Sequence, residues 1–183
     1  NRGCLPDAEV CFLRALEIDP GYAEAHINLG NIHNDLGRLS AAEASYRRAV
    51  EIRPDYVEAY CNLGITLKDQ GRLSEAEACF HHALEINPDC ADAHLNLSNM
   101  CNEKGCLSDA EAGYRRTLEI KPDYAEAYSN LGTTLKDQGR LPEAEACYRR
   151  ALEIKPDYFE AYDNLLFAMN YNAGHTASHC LEE

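Results

Sequence analysis

Prolines stand at Pro20, Pro54, Pro88, Pro122 and Pro156, each 34 residues beyond the last. Gly3, Gly37, Gly71, Gly105 and Gly139 keep the same interval. So do Ala8, Ala42, Ala76, Ala110 and Ala144, and Leu29, Leu63, Leu97, Leu131 and Leu165. Four columns with one spacing restrict the chain to a stack of like units. A period between about 20 and 50 residues marks a quasi-one-dimensional array, in which each unit buries its apolar face only against its neighbours.

Inside a unit the pattern is that of a helical hairpin. Tyr60, Leu63, Gly64 and Leu67 fall at i, i+3, i+4 and i+7 in a run opening at Val57, and so line one face of a helix. Gly71 then supplies a left-handed stop. In the next helix, Ser74 followed by Glu77 predicts a capping box with Leu73 as its hydrophobic staple. Ser40 with Glu43 and Ser108 with Glu111 repeat the device, while Pro6 and Pro142 take that slot in two other units, which also suits a helix start. Ala76, Phe80, Ala83 and Leu84 form the inner face of this second helix. Pro88 ends it, because the residue before a proline disfavours helix.

These residues resemble the tetratricopeptide repeat. Its order of aromatic, Leu-Gly, apolar, Ala, aromatic, Ala and Pro is met at Tyr60, Leu63, Gly64, Leu67, Ala76, Phe80, Ala83 and Pro88. It is met again at Tyr128, Leu131, Gly132, Leu135, Ala144, Tyr148, Ala151 and Pro156. His26 and His94 depart from the aromatic, Ser98 from the Gly, and Thr117 from an Ala, which marks 91–124 as the weak interior unit. The resemblance covers about residues 1–171 and implies an all-α solenoid, a right-handed superhelix of antiparallel helix pairs. On this reading 1–22 is an orphan second helix, 23–56, 57–90, 91–124 and 125–158 are full repeats, and 159–171 is a terminal first helix, ten helices in all. The stretch 172–183 has no repeat pattern and is expected to be irregular, and the whole to be a piece of a longer array.

Composition narrows the partners. With 31 acidic and 17 basic residues the net charge is −14, the wrong sign for a nucleic-acid partner. No run approaches the roughly 18 apolar residues of a membrane span, and Asn1-Arg2-Gly3-Cys4 does not open a signal peptide. The nine cysteines form no CxxC pair, so reduced thiols and a cytoplasmic location are expected.

The resemblance implies that the first helix of each repeat faces a concave groove. The sixth position of each first helix is Asn28, Asn62, Asn96, Asn130 and Asn164. Mid-helix Asn costs several tenths of a kcal/mol against Ala, on the order of 0.5, so the column wants a reason. An amide both donates and accepts, and can hold a peptide group from both sides. Helices 8–10 Å apart would then set one Asn against about every third residue of an extended chain. The other reading of the column is local bonding between neighbours. A second column, Glu24, Glu58, Asp92, Glu126 and Glu160, either complements the helix dipoles or gives the groove a preference for Lys, Arg or hydroxyl-bearing peptides. Lys68 and Lys136, with Asn34 and Asn102 in the equivalent slots, complete the candidate set. A carboxylate clamp like that of chaperone-binding relatives matches only at Asn31 and Asn62.

Other features read as structure. Arg47-Arg48, Arg115-Arg116 and Arg149-Arg150 sit on second helices and diverge too far to act as one ligand set. Cys11, Cys79 and Cys147 share one position and read as small apolar packers. His175 and His179 near Cys180 have a metal-compatible spacing in the terminal tail, but no metal site, cofactor or catalytic set is expected. Residues 139–171 resemble the last repeats of bacterial-type O-linked N-acetylglucosamine transferases, whose arms carry an asparagine ladder. That likeness implies a non-catalytic, substrate-selecting arm that binds extended polypeptide. The alternatives are an adaptor with no enzymatic domain, and a module that self-associates through exposed solenoid ends. Leu5, Phe12 and Leu16 at one end, and Phe159, Leu165, Leu166, Phe167 and Met169 at the other, motivate the last.

Overall fold

A computed structural model describes the backbone of residues 5–179 and the side chains of 8–170. Among the described residues the chain is ten helices: α1 (Leu5–Ile18), α2 (Ala23–Asp35), α3 (Leu39–Ile52), α4 (Val57–Asp69), α5 (Leu73–Ile86), α6 (Ala91–Glu103), α7 (Leu107–Ile120), α8 (Ala125–Asp137), α9 (Leu141–Ile154) and α10 (Phe159–His179). They pack as antiparallel pairs, α2 with α3, α4 with α5 and α8 with α9. Two compact units divide the chain, Asn1–Ala93 and His94–Glu183.

In the first unit the core is built from Ile27, Leu29, Tyr46, Leu63, Leu67 and Phe80, with Ala42, Ala49, Ala76 and Ala83 fully buried. Gly64 is required by close approach: a Cβ there would lie 2.7 Å from the Phe80 ring. Successive hairpins are tied by a charged cluster. Arg72 donates to Glu43 at 2.7 Å and to Glu75 at 2.6 Å, and Gln70 donates to Glu43 at 3.0 Å. Burial raises the Glu43 pKa, but the hydrogen bonds from Arg72, Gln70 and Arg47 outweigh it and hold the carboxyl below its usual range.

The second unit repeats this plan. Leu95, Tyr114, Leu131, Leu135 and Tyr148 share one apolar cluster. Arg140 donates to Glu111 at 2.7 Å and to Glu143 at 2.6 Å, while Gln138 donates to Glu111 at 3.0 Å. The two departures from the repeat pattern are accommodated here. Ser98 is 2% exposed and its hydroxyl donates to the His94 carbonyl at 2.7 Å. The residue facing it is Gly113, where a Cβ would fall 2.1 Å from that hydroxyl oxygen. Thr117, fully buried, donates to the Gly113 carbonyl at 2.9 Å.

Three expectations need correction. Second helices begin at Leu39, Leu73 and Leu107, so Ser40, Ser74 and Ser108 lie inside the helix and make no cap hydrogen bond; the residues at the N-cap are Arg38, Arg72 and Cys106. The cause is the turn before them. Gly37 (φ +70°) donates to Asn34 and Arg38 to His33, a Schellman closure that leads straight into the next helix. Beyond Tyr171, where the repeat pattern stops and an irregular tail is expected, α10 continues to His179. At the other end, Phe12 and Leu16 are half-buried, and among the described residues of α1 the large exposed apolar side chains are Val10, Leu13 and Ile18. The side chains of Leu5, His175, His179 and Cys180 lie outside the described residues.

Candidate functional site

The asparagine column divides by environment. Asn28 is exposed and its amide donates to the Glu24 carbonyl of its own helix at 2.9 Å. Asn62 and Asn130 are half-buried and reach across to the preceding first helix: Asn62 Nδ2 donates to Asn31 Oδ1 at 3.1 Å, and Asn130 Nδ2 to Asn99 Oδ1 at 2.9 Å. Each acceptor takes a second donor, Tyr46 Oη at 2.6 Å on Asn31 and Tyr114 Oη at 2.7 Å on Asn99. Burial pushes the Tyr46 phenol up to about 12, so it stays a donor near neutral pH. Asn96 and Asn164 are half-buried on α6 and α10. Local bonding is therefore present at Asn28, Asn62 and Asn130. In each of those amides one N–H and the carbonyl oxygen still have capacity for a ligand.

In the first unit these groups line a cavity of about 130 Å³, bounded by Asn31, Asn34, Asp35, Tyr46, Asn62 and Ile65. The Asn34 Oδ1 atom is buried there without a hydrogen-bond partner. Its counterpart in the second unit, Asn102 Oδ1, accepts from Thr134 Oγ1 at 3.1 Å. A buried acceptor left unpaired costs about 1–3 kcal/mol, and a ligand donor placed against it recovers that cost.

In the acidic column, Glu58, Asp92, Glu126 and Glu160 are exposed. Glu24 is paired with Arg53, whose hydrogen bond is the first cause of its lowered pKa. Lys68 is half-buried in the last turn of α4, and the Lys136 ammonium sits 5.7 Å from the Phe167 ring centre. The arginine doublets are engaged along their own helices, Arg47 with Glu43 at 2.8 Å, Arg48 with Glu51 at 3.0 Å and Arg150 with Glu153 at 2.7 Å.

Asn99, Tyr46 and Tyr114 enter the site from positions not singled out in the sequence. The signal that finds the asparagines is a second period: Asn31 and Asn99 lie 68 residues apart, with Ile65 and Thr133 in the alternate slots.

Helix pairs in series, glycine–aromatic contacts and the 34-residue period define an all-α repeat protein. Tetratricopeptide-repeat profiles match residues 11–44, 57–90 and 125–158, and a TPR-repeat profile matches 30–71 and 98–139; the chain belongs to the tetratricopeptide-repeat family. No curated protein matches it. Among solved structures it is similar to MamA (26% identity, TM-score 0.71, covering 85% of this chain and 91% of that one). A second MamA structure has 26% identity and a TM-score of 0.68, with 85% of each chain covered. TTC0263, a thermophilic TPR protein of Thermus thermophilus, has 28% identity and a TM-score of 0.74 over 91% of both chains. No described helix is long and apolar enough to cross a membrane.

Proposed function

We propose that this chain is an adaptor-type interaction module whose first helices bind an extended polypeptide. The observation that supports this most is the amide-lined cavity of the first unit, where Asn34 Oδ1 is buried without a partner beside Asp35 and Asn62. Such a site takes an N–H or O–H donor from the ligand, a peptide N–H or the tip of a Lys, Arg, Ser or Thr. Glu58, Asp92, Glu126 and Glu160 bias the choice toward basic or hydroxyl-bearing sequences, and Lys68 and Lys136 face ligand carbonyls or acidic residues. The finer reading, a substrate-selecting arm of an O-GlcNAc-type transferase, rests on residues 139–171 alone. The solved neighbours include a TPR protein covered for 91% of its length, which favours the adaptor. Phe159, 81% exposed, with Leu166 and Phe167, keeps self-association as a second reading, which light scattering decides.

A peptide array containing Lys-rich and Ser/Thr-rich extended sequences tests the first reading. Binding should weaken about a hundredfold when Asn62, Asn96 and Asn130 are all replaced by Ala, at about 1 kcal/mol per lost hydrogen bond. Unchanged affinity in that triple variant sinks the ladder.

A further inference from the structure

At three joints, Cys61 with Cys90, Leu95 with Tyr124 and Ser129 with Tyr158, the fifth residue of a first helix lies by the residue 29 positions later, which opens the next first helix. Leu95 and Tyr124 share one apolar cluster, and the Tyr158 hydroxyl is hydrogen-bonded with Ser129. The later position is Tyr22, Tyr56, Tyr124 and Tyr158, except that one unit has Cys90. Three of those rings carry a cation from three residues earlier: Arg53 and Lys121 lie 4.2 Å from the Tyr56 and Tyr124 ring centres, and Lys155 lies 5.1 Å from that of Tyr158. At the exceptional unit the cation is lost together with the ring, since Asn87 precedes Cys90. The residue facing Cys90 is Cys61, and the two sulfurs are 3.7 Å apart. Ring, cation and opposing side chain are thus replaced together, and what stands in their place is a dithiol.

We propose that Cys61 and Cys90 form a thiol–disulfide site, which a low-molecular-weight disulfide of the glutathione type oxidises to an intramolecular bond between α4 and the start of α6. Access sets the order of events, because Cys61 is 5% exposed and Cys90 is half-buried. Cys90 is the attacking sulfur. The hydrogen bond from the Cys61 thiol holds its pKa below the ordinary thiol range against burial, and the Ala93 and Asp92 N–H groups add to this against the Asp92 carboxylate. Cys61, as the donor, is pushed up, with burial and the carboxylates of Asp92 and Glu58 acting in the same direction. A thiolate at a helix start with an adjacent resolving thiol is the arrangement that favours exchange.

The reaction balances. The Cys90 thiolate attacks one sulfur of the small disulfide, whose S–S bond breaks; the released thiolate takes up the proton Cys90 gave to solvent. Cys61 then loses its proton to the second leaving sulfur and attacks Cys90 Sγ, breaking the mixed disulfide. One small disulfide becomes two thiols, and the protein loses two hydrogens. The protein sulfurs close from 3.7 Å to about 2.05 Å. The new bond closes the loop between Cys61 and Cys90, 29 positions apart and so five short of the 34-residue repeat.

The test incubates the 183-residue chain with oxidised and reduced glutathione at graded ratios, alkylates the remaining thiols and maps linked peptides by mass spectrometry. The first linkage should join Cys61 to Cys90, seven of nine thiols should remain alkylatable, and Tm should rise by on the order of 5 °C. Cys61→Ser should trap glutathione on Cys90. The double variant Cys61→Ser/Cys90→Tyr copies the pair at Ser129 and Tyr158, so it should keep its helicity and show no Tm response to oxidant. A different linkage forming first, a lasting glutathione adduct on Cys90 of the unmodified sequence, or a linked chain that melts no higher each overturns the proposal.

Discussion

Replacing Gly113 by Ala should destabilise the chain even though Ala is the better helix former by about 1 kcal/mol. The added Cβ would lie 2.1 Å from Ser98 Oγ and 3.2 Å from Ser98 Cβ. Ser98 is 2% exposed and its hydroxyl is held on the His94 carbonyl, so relief requires turning that side chain or spreading two helices. Overpacking of this kind costs about 1–3 kcal/mol, which leaves a net loss of about 1 kcal/mol after the propensity gain. Ser98→Gly alone should cost about 0.5 kcal/mol through backbone entropy. The double variant puts glycine and a small side chain at the two positions that Gly132 and Cys147 hold one repeat later, and should be about 0.5 kcal/mol more stable than the starting chain. The coupling between the two changes is then about 1–3 kcal/mol, well above the additivity error of distant sites. Urea midpoints of the four proteins by far-ultraviolet circular dichroism measure it, compared at a common m-value because a repeat array need not unfold in one step. A coupling below about 0.3 kcal/mol, or a stabilising Gly113→Ala, would falsify the claim that Gly113 exists to make room for Ser98.

Tyr46→Phe should cost about 1 kcal/mol, whereas Asn31→Ala strands the buried Tyr46 hydroxyl as well and should cost about 2 kcal/mol; equal midpoint shifts would refute the shared-acceptor geometry. The lowered pKa values of Glu43 and Glu111 stabilise the chain above the unfolded carboxylate pKa, and this stabilisation is lost as pH falls through the lower folded values. Tm should therefore hold above about pH 5 and fall below it, and Arg72→Gln with Arg140→Gln should flatten that fall; a parallel decline in the double variant would remove the clusters from the explanation. Thr117→Ala removes a buried methyl worth about 1 kcal/mol and regains about 0.5 kcal/mol of propensity, so Tm should drop by about 1–3 °C, and a rise would show the site overfilled.

Helix identity and pairing were legible from the columns because Gly64 and Phe80, or Gly132 and Tyr148, recur at the period of the fold itself. The helix starts misled for a local reason. Ser74 and Glu77 satisfy the capping-box spacing, but Gly71 and Arg72 close the previous helix so tightly that Leu73 is already helical. The weak-repeat reading of 91–124 weighed Ser98 and Thr117 singly, whereas Gly113 compensates one and accepts from the other. In the candidate site the Asn62 and Asn130 rungs were visible, but their partners Asn31 and Asn99 follow a 68-residue rhythm that a 34-residue register averages away. Cys61 and Cys90 belong to different columns, and only the packing of a first helix against the opening of the next brings them together.

The paired clusters at Glu43 and Glu111 also fix how this array can be edited. Excising residues 57–90 would splice Cys106 and Lys104 into the slots of Arg72 and Gln70, leaving the half-buried Glu43 with no guanidinium from the following hairpin to meet it. Excising 57–124 instead brings in Arg140 and Gln138, the same two side chains that already hold Glu111. An excision that begins at residue 57 therefore keeps the Glu43 joint when it removes two hairpins of 34 residues each, and loses it when it removes one.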